Sequence, residues 1–283
     1  ISLTNLNQLF FLEYVSNGLL ENLLSLSKKG LAPHNFDDTQ KLIILYGIGS
    51  EMSHLHSFEI LHRDLKPGNV FLDDDYPKMC DCGISKKEND EKRSTIGFKG
   101  TVLYSAPECM QLNQYSKSSN VYSFAILAYE IITNQDPYPC IENEHITYEK
   151  VKKGKRPRID KFVGNAEKEL IEKCLAQAPS DRPTFDEIKE ALENNPDFLN
   201  DKDEKRFFDY VDIIKNWKNL PKSPKKRKRA IKKKIIRKKP QSKKRNEEEE
   251  IDNDDSDNEK IISHPKKGNE TKNKATIPKQ NER

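Results

Sequence analysis

Within the run His62-Arg63-Asp64-Leu65-Lys66-Pro67-Gly68-Asn69 the chain places a carboxylate, an ammonium group and a carboxamide side by side. That set suits the holding of a hydroxyl nucleophile beside a metal-bound phosphate. Phosphoryl transfer asks little covalent help of a protein; it needs alignment and charge compensation. Asp64 is the expected acceptor or orienter of the incoming hydroxyl's proton, and Lys66 the expected counter-charge for the transferred group. Asn69 offers a neutral oxygen ligand and Asp81, in Asp81-Cys82-Gly83, a charged one; Mg²⁺ prefers such hard donors. The bland alternative is a polar turn followed by an unrelated Asp-x-Gly turn, which leaves their order and spacing to chance.

Elements must hold these groups in place. Leu9-Phe10-Phe11-Leu12, followed by Glu13-Tyr14-Val15 and the turn signal Ser16-Asn17-Gly18, reads as a buried strand entering a hinge. A short helix is predicted over residues 19–26. Phe36-Asp37-Asp38-Thr39 supplies capping oxygens for the next helix. There Leu42, Ile43, Leu45, Ile48, Met52 and Leu55 recur at helical steps, which predicts one stripe facing a core. Residues 70–72 and 77–80 read as short strands around the turn Asp73-Asp74-Asp75, a hairpin fitting between Asp64 and Asp81. The stretch 81–108 is polar and aperiodic, hence a long loop. Residues 121–132 are apolar on nearly every side, as in a fully buried helix. Further helices are predicted over 166–177, 185–193 and 207–217.

The 283 residues carry a net charge of +4, which conceals a division. From residue 221 onward there are 22 Lys/Arg against 11 Asp/Glu, which leaves 28 basic and 35 acidic residues before it. Every Phe, Tyr and Trp precedes residue 221, so the tail has little with which to build a core and is expected to be disordered. Transient helix is expected only near 230–239. Residues 222–245 carry 15 basic side chains in 24, and 247–259 form an acidic block. Pro224-Lys225-Lys226-Arg227-Lys228-Arg229 resembles a nuclear-import signal. The wider segment also suits an acidic or nucleic-acid partner through phosphate contacts, sequence-blind for want of aromatics, or a solvated, self-repelling tail.

Five cysteines, with no CxxC pair among them, point to a reducing compartment and away from zinc. No apolar run approaches the ~18 residues of a membrane span, so no transmembrane segment is expected. The expected location is intracellular, cytoplasmic with a nuclear alternative. The start lacks a basic n-region and an initiator Met, which reads as a fragment or an incompletely predicted product.

On these motifs residues 8–192 resemble a eukaryotic protein kinase. The run from His62 to Asn69 is similar to that family's catalytic loop, and Lys66-Pro67 resembles its serine/threonine rather than its tyrosine members. Asp81-Cys82-Gly83 stands where Asp-Phe-Gly belongs, and Ala106-Pro107-Glu108 closes an activation segment. Gly100-Thr101 resembles the stretch that receives substrate. Arg182, in Asp181-Arg182-Pro183-Thr184, is the implied partner of Glu108 in a buried ion pair. Val121-Tyr122-Ser123-Phe124 and Arg182-Pro183-Thr184-Phe185 look most like the tyrosine-kinase-like group.

The resemblance implies an α+β, protein-kinase-like fold. Residues 1–18 would be a remnant N-lobe strand and hinge, 19–195 the mainly helical C-lobe, 196–220 a helical extension and 221–283 the disordered tail. It implies ATP and Mg²⁺ as cofactors and a protein substrate. Leu12 is then a gatekeeper, the backbone groups of Glu13 and Val15 face the adenine edge, and Phe71 floors the adenine. Arg63 is either a surface cation or a clamp for a phosphorylated loop; Ser94 and Thr95 are either phosphosites or solvated loop residues.

Three departures support a second reading, a truncated or pseudokinase-like interaction module. No Gly-rich loop, strand lysine or pairing glutamate occurs in the chain, which predicts negligible Mg²⁺–ATP affinity for it as it stands. Cys82 replaces a phenylalanine, and Asn120 stands where the family uses an aspartate to hold the catalytic-loop backbone.

Overall fold

A computed structural model describes residues 18–73, 75–81, 83–88, 98–139 and 143–216. Helix α1 (Leu20–Lys28) buries Leu20 and Leu24 on one face. Helix α2 (Asp38–Ser57) starts as its sequence predicts, the Asp37 carboxylate accepting the Gln40 N–H at 2.7 Å. A single buried stripe proves too narrow a description of α2. Ile44, Tyr46, Gly47 and Gly49 are buried as well, because neighbours wrap the helix on all sides. At Gly47 a Cβ would collide with the Pro77 ring and the Tyr210 hydroxyl, so only glycine lets both elements sit this close.

The predicted hairpin forms from β2 (Val70–Asp73) and β3 (Tyr76–Met79), antiparallel, with Val70 opposite Met79 and Asp73 opposite Tyr76. The long loop expected over 81–108 is corrected in part. Strand β4 (Lys86–Lys87) pairs with β1 (Ile60–Leu61), Ile60 opposite Lys87, and the Glu88 N–H reaches the Glu59 carbonyl at 2.9 Å. Two lysines give no apolar alternation; main-chain bonds to an already placed β1 make the strand. A 3₁₀ turn (Val102–Tyr104) and helix α3 (Pro107–Leu112) close the same stretch.

Helix α4 (Lys117–Thr133) is buried along most of its length and begins in a capping box of Ser116 and Ser119, upstream of the apolar run that revealed it. Helix α5 (Glu144–Lys152) carried no signal strong enough to predict. Helix α6 (Asn165–Cys174) stops short of residue 177, where the chain turns into the 3₁₀ segment Pro179–Asp181. Helix α7 (Phe185–Asn194) has the reciprocal Thr184–Glu187 cap, and α8 (Glu204–Lys215) starts on the Asp203 carboxylate.

One core joins these helices. Phe185 meets Phe124 edge-on at 5.4 Å, Phe207 meets Tyr46 at 5.5 Å, and Tyr76 stacks on Tyr210 at 4.6 Å. Each fully buried ring contributes roughly 1.5–3 kcal/mol, so α8 is part of the folded body and ties α2 to the hairpin. The architecture is α+β and mainly helical, with two small two-stranded sheets among the described residues. No described helix is long and apolar enough to cross a membrane. The expected strand over residues 8–15 and the tail from 221 lie outside the described residues.

Candidate active site

The loop from His62 to Asn69 hangs between β1 and β2, and three anchors fix its backbone. His62 is fully buried with Nε2 3.2 Å from the Cys80 carbonyl. Arg63 is left-handed, φ 69°, a strained conformation held by its N–H donating to Asn120 Oδ1 at 3.2 Å. The 3₁₀ turn Pro67–Asn69 then returns the Asn69 N–H to the Lys66 carbonyl at 3.0 Å.

These anchors bring four side chains together. Lys66 Nζ lies 2.8 Å from Asp64 Oδ2, and Asn69 Nδ2 donates to Asp64 Oδ2 at 2.9 Å and to the Asp64 carbonyl at 2.7 Å. Thr101 joins from the far side of the activation segment: its hydroxyl donates to Asp64 Oδ1 at 2.8 Å and accepts from Lys66 Nζ at 2.9 Å. Burial pushes the Asp64 carboxyl up, but Lys66, Thr101 and Asn69 together outweigh it and hold the group below its ordinary value. Asp64 is therefore a carboxylate with fixed orientation.

Asp81 follows directly from β3. Its φ is 58°, its side chain is exposed, and Oδ1 accepts the Gly83 N–H at 3.2 Å. The preceding Cys80 N–H binds the Asn69 carbonyl at 2.9 Å, so Asp81 and Asn69 are held on adjacent backbones. His62 Nε2, within 3.2 Å of the Cys80 carbonyl, ties the residue before Asp81 to the loop that carries Asp64. The donor set fits a divalent cation. Asn69 commits Nδ2 to Asp64, leaving Oδ1 without a hydrogen bond among the described residues, and Asp81 presents an exposed carboxylate; both are hard oxygen donors.

The remaining expected residues fall as follows. Phe71 is half-buried on the opposite face of β2 from Val70 and Leu72, and bridges to Leu19; the Leu72 N–H holds the Gly18 carbonyl at 2.9 Å. The hairpin thereby carries the end of the hinge segment. Leu12, Glu13 and Val15 lie outside the described residues, as do Cys82, Ser94 and Thr95. Arg63 is not a plain surface cation. It is half-buried, its Nε donates to the Ile84 carbonyl, and its guanidinium lies 5.4 Å from the Tyr115 ring centroid. Glu108 and Arg182 form the expected pair, bidentate at 2.6 and 3.0 Å, with the Arg182 side chain fully buried.

Two participants were not foreseen in these roles. Tyr115 Oη donates to the Lys99 carbonyl at 2.7 Å and so fixes the entry to Gly100-Thr101. His56, on α2, places Nε2 3.0 Å from Asn120 Nδ2. Neither adjoins a motif, and no local pattern marks them.

Residues 3–193 match the family model described as the protein kinase domain, and the chain belongs to that family. It is 36% identical over 181 residues to a probable LIM domain-containing serine/threonine-protein kinase of Dictyostelium discoideum, covering 64% of this chain and 27% of that protein. It is 35% identical over 184 residues to the RGS domain-containing serine/threonine-protein kinase A of the same organism, covering 64% and 16%. The human cytoplasmic tyrosine-protein kinase BMX is 32% identical over 184 residues, covering 64% and 26%. The chain thus spans little more than a quarter, at most, of these relatives.

Proposed function

We propose that this chain is the catalytic part of an ATP-dependent protein serine/threonine kinase acting in signalling. The observation that carries the reading is the Asp64–Lys66–Thr101–Asn69 network beside Asp81. Asp64, held as a carboxylate, orients the substrate hydroxyl and takes its proton. Lys66, already paired with Asp64, would neutralise charge growing on the transferred phosphoryl group. Asn69 and Asp81 would hold Mg²⁺, which when bound neutralises phosphate charge and orients the nucleotide for transfer. Phe71 would floor the adenine, with Leu12, Glu13 and Val15 along its edge. Lys66-Pro67 and the serine/threonine kinases among the relatives support Ser/Thr as acceptor; the tyrosine kinase among them makes the acceptor the first thing to measure.

Because this chain alone is expected to bind little Mg²⁺–ATP, the test joins it to an N-terminal lobe carrying a Gly-rich loop and strand lysine, and compares radiolabelled phosphate transfer to Ser-, Thr- and Tyr-containing peptides by that protein and its Asp64→Asn variant. A loss of roughly 10²–10⁴-fold is expected, confined to Ser and Thr peptides. Equal incorporation by both would end the enzymatic reading and leave the interaction module. Transfer to Tyr alone would move the acceptor assignment.

A further inference from the structure

A groove of about 470 Å³ opens where α2 begins, far from the Asp64 loop in sequence. Leu42, Leu45 and Phe198, nearly all their surface already in the core, back its apolar wall together with Ile132, and Phe162 at its rim is 88% exposed. An aromatic side chain left so open beside an apolar wall is a contact surface without a described partner. The groove is also acidic. Asp38 and Glu167 are answered by Lys41 at 2.8 Å and Lys202 at 3.2 Å. Asp160, Asp197 and Asp201, which also line it, make no ion pair among the described residues. Among the described residues the Asp160 carboxylate accepts a hydrogen bond from the neutral Gln135 amide alone, at 3.1 Å.

The chain itself carries a segment of opposite character. Residues 225–239 hold 11 Lys/Arg in 15, and the others are Ala230, Ile231, Ile235 and Ile236. The segment is therefore cationic with a few aliphatic side chains, the complement of an anionic groove with apolar walls. Its reach suffices. Asn200–Lys202 line the groove immediately before α8, and the 12 residues of α8 carry the chain about 18 Å from it. The residues between Lys215 and 225 span up to about 33 Å when extended, enough to return.

We propose that residues 225–239 dock in this groove of the same chain, with Ile231, Ile235 and Ile236 against Phe162 and the apolar walls and the lysines and arginines facing Asp160, Asp197 and Asp201. Five carboxylates against the two ammonium groups of Lys41 and Lys202 disfavour phosphate-bearing occupants of the groove. Docking withdraws the basic segment from outside partners, and long-range attraction makes it sensitive to salt. This inference stands independently of the proposed phosphoryl transfer.

The full chain with a photoreactive benzoylphenylalanine at position 162 tests it. Irradiation of mixed ¹⁴N- and ¹⁵N-labelled chains, followed by mass spectrometry, is expected to join position 162 to residues 225–239 of the same chain. The yield should fall by roughly threefold or more in about 0.5 M salt, where the Debye length is only a few ångströms. It should fall likewise in D160N/D197N/D201N, and in I231S/I235S/I236S, whose changes lie outside the described residues. Mixed-isotope products would assign the groove to a second copy, and attachment elsewhere to another occupant. Either result overturns the proposal, as does a yield indifferent to all of these changes.

Discussion

Asn120 and His56 meet side chain to side chain at 3.0 Å, and the direction of that hydrogen bond is fixed by what else Asn120 does. Its Oδ1 accepts from the Arg63 N–H, so Nδ2 faces His56, whose Nε2 must accept and be unprotonated. Burial first, and Lys117 second, lower the His56 pKa to about 4, in keeping with a neutral ring. An uncharged pair thus braces the left-handed residue that aims Asp64.

Replacing Asn120 with Asp should reverse this polarity. A carboxylate 3 Å or so from Nε2 favours the imidazolium, and the His56 pKa should climb by more than about one unit. Histidine NMR titration reads the change directly; a value still near 4 would show that the brace does not set the charge state.

His56 and Glu51 make opposite contributions to stability across nearly the same pH range. The His56 pKa is depressed in the fold, so its contribution is complete above about 6.5 and is lost as pH falls through 4. Burial raises the Glu51 carboxyl to about 7 against the pull of the Met79 N–H, which it accepts at 2.6 Å, and of Lys78. Its contribution is complete below about 4.5 and is lost as pH rises through 7. Allowing for partial exposure, each is worth about 2 kcal/mol. In urea unfolding the deficit of Glu51→Gln relative to wild type should therefore be greatest near pH 4, and that of His56→Gln near pH 7. Parallel curves for both variants and wild type would refute the assignment.

Glu108→Gln should cost about 3–5 kcal/mol, because Arg182 would remain fully buried beside a neutral amide. The guanidinium also holds the Ala176 carbonyl at 2.9 Å and the Ser118 carbonyl at 3.1 Å, so it cannot swing out to water. Glu108→Gln combined with Arg182→Met should recover a large part of the loss. Chemical denaturation of the single and double variants measures the coupling, and additive losses would show that the pair is not the source.

Thr101→Ala removes the hydroxyl joining Asp64 to Lys66 and should lower kcat/KM for Ser/Thr peptides by about tenfold, one hydrogen bond's worth. Thr101→Ser keeps the hydroxyl and should keep the rate. If Ala and Ser behave alike, the methyl group rather than the hydroxyl matters.

The site was legible where its residues are contiguous. Asp64, Lys66 and Asn69 share a turn, so their order alone carries their geometry. Resemblance placed Thr101 near the substrate, but not its bridge between Asp64 and Lys66, which the tertiary return of the activation segment creates. His56 was hidden for the same reason: its partner Asn120 lies 64 residues away, on another helix. In the fold, long apolar runs announced α2 and α4, whereas α4's polar first turn concealed its true start. Strand β4, being two lysines, has no side-chain pattern to read.

Gly100, with φ 118°, lies so close to the catalytic loop that a Cβ there would come within 2.8 Å of the Arg63 carbonyl oxygen. That backbone carbonyl cannot yield without disturbing the residue next to Asp64. A saturation screen scored by cellular abundance would register only the strain of this backbone, about 1–3 kcal/mol, while the same library scored by phosphate transfer would find the position as intolerant as Asp64. Disagreement between two such readouts at one glycine would be the mark of a backbone contact that serves chemistry rather than folding.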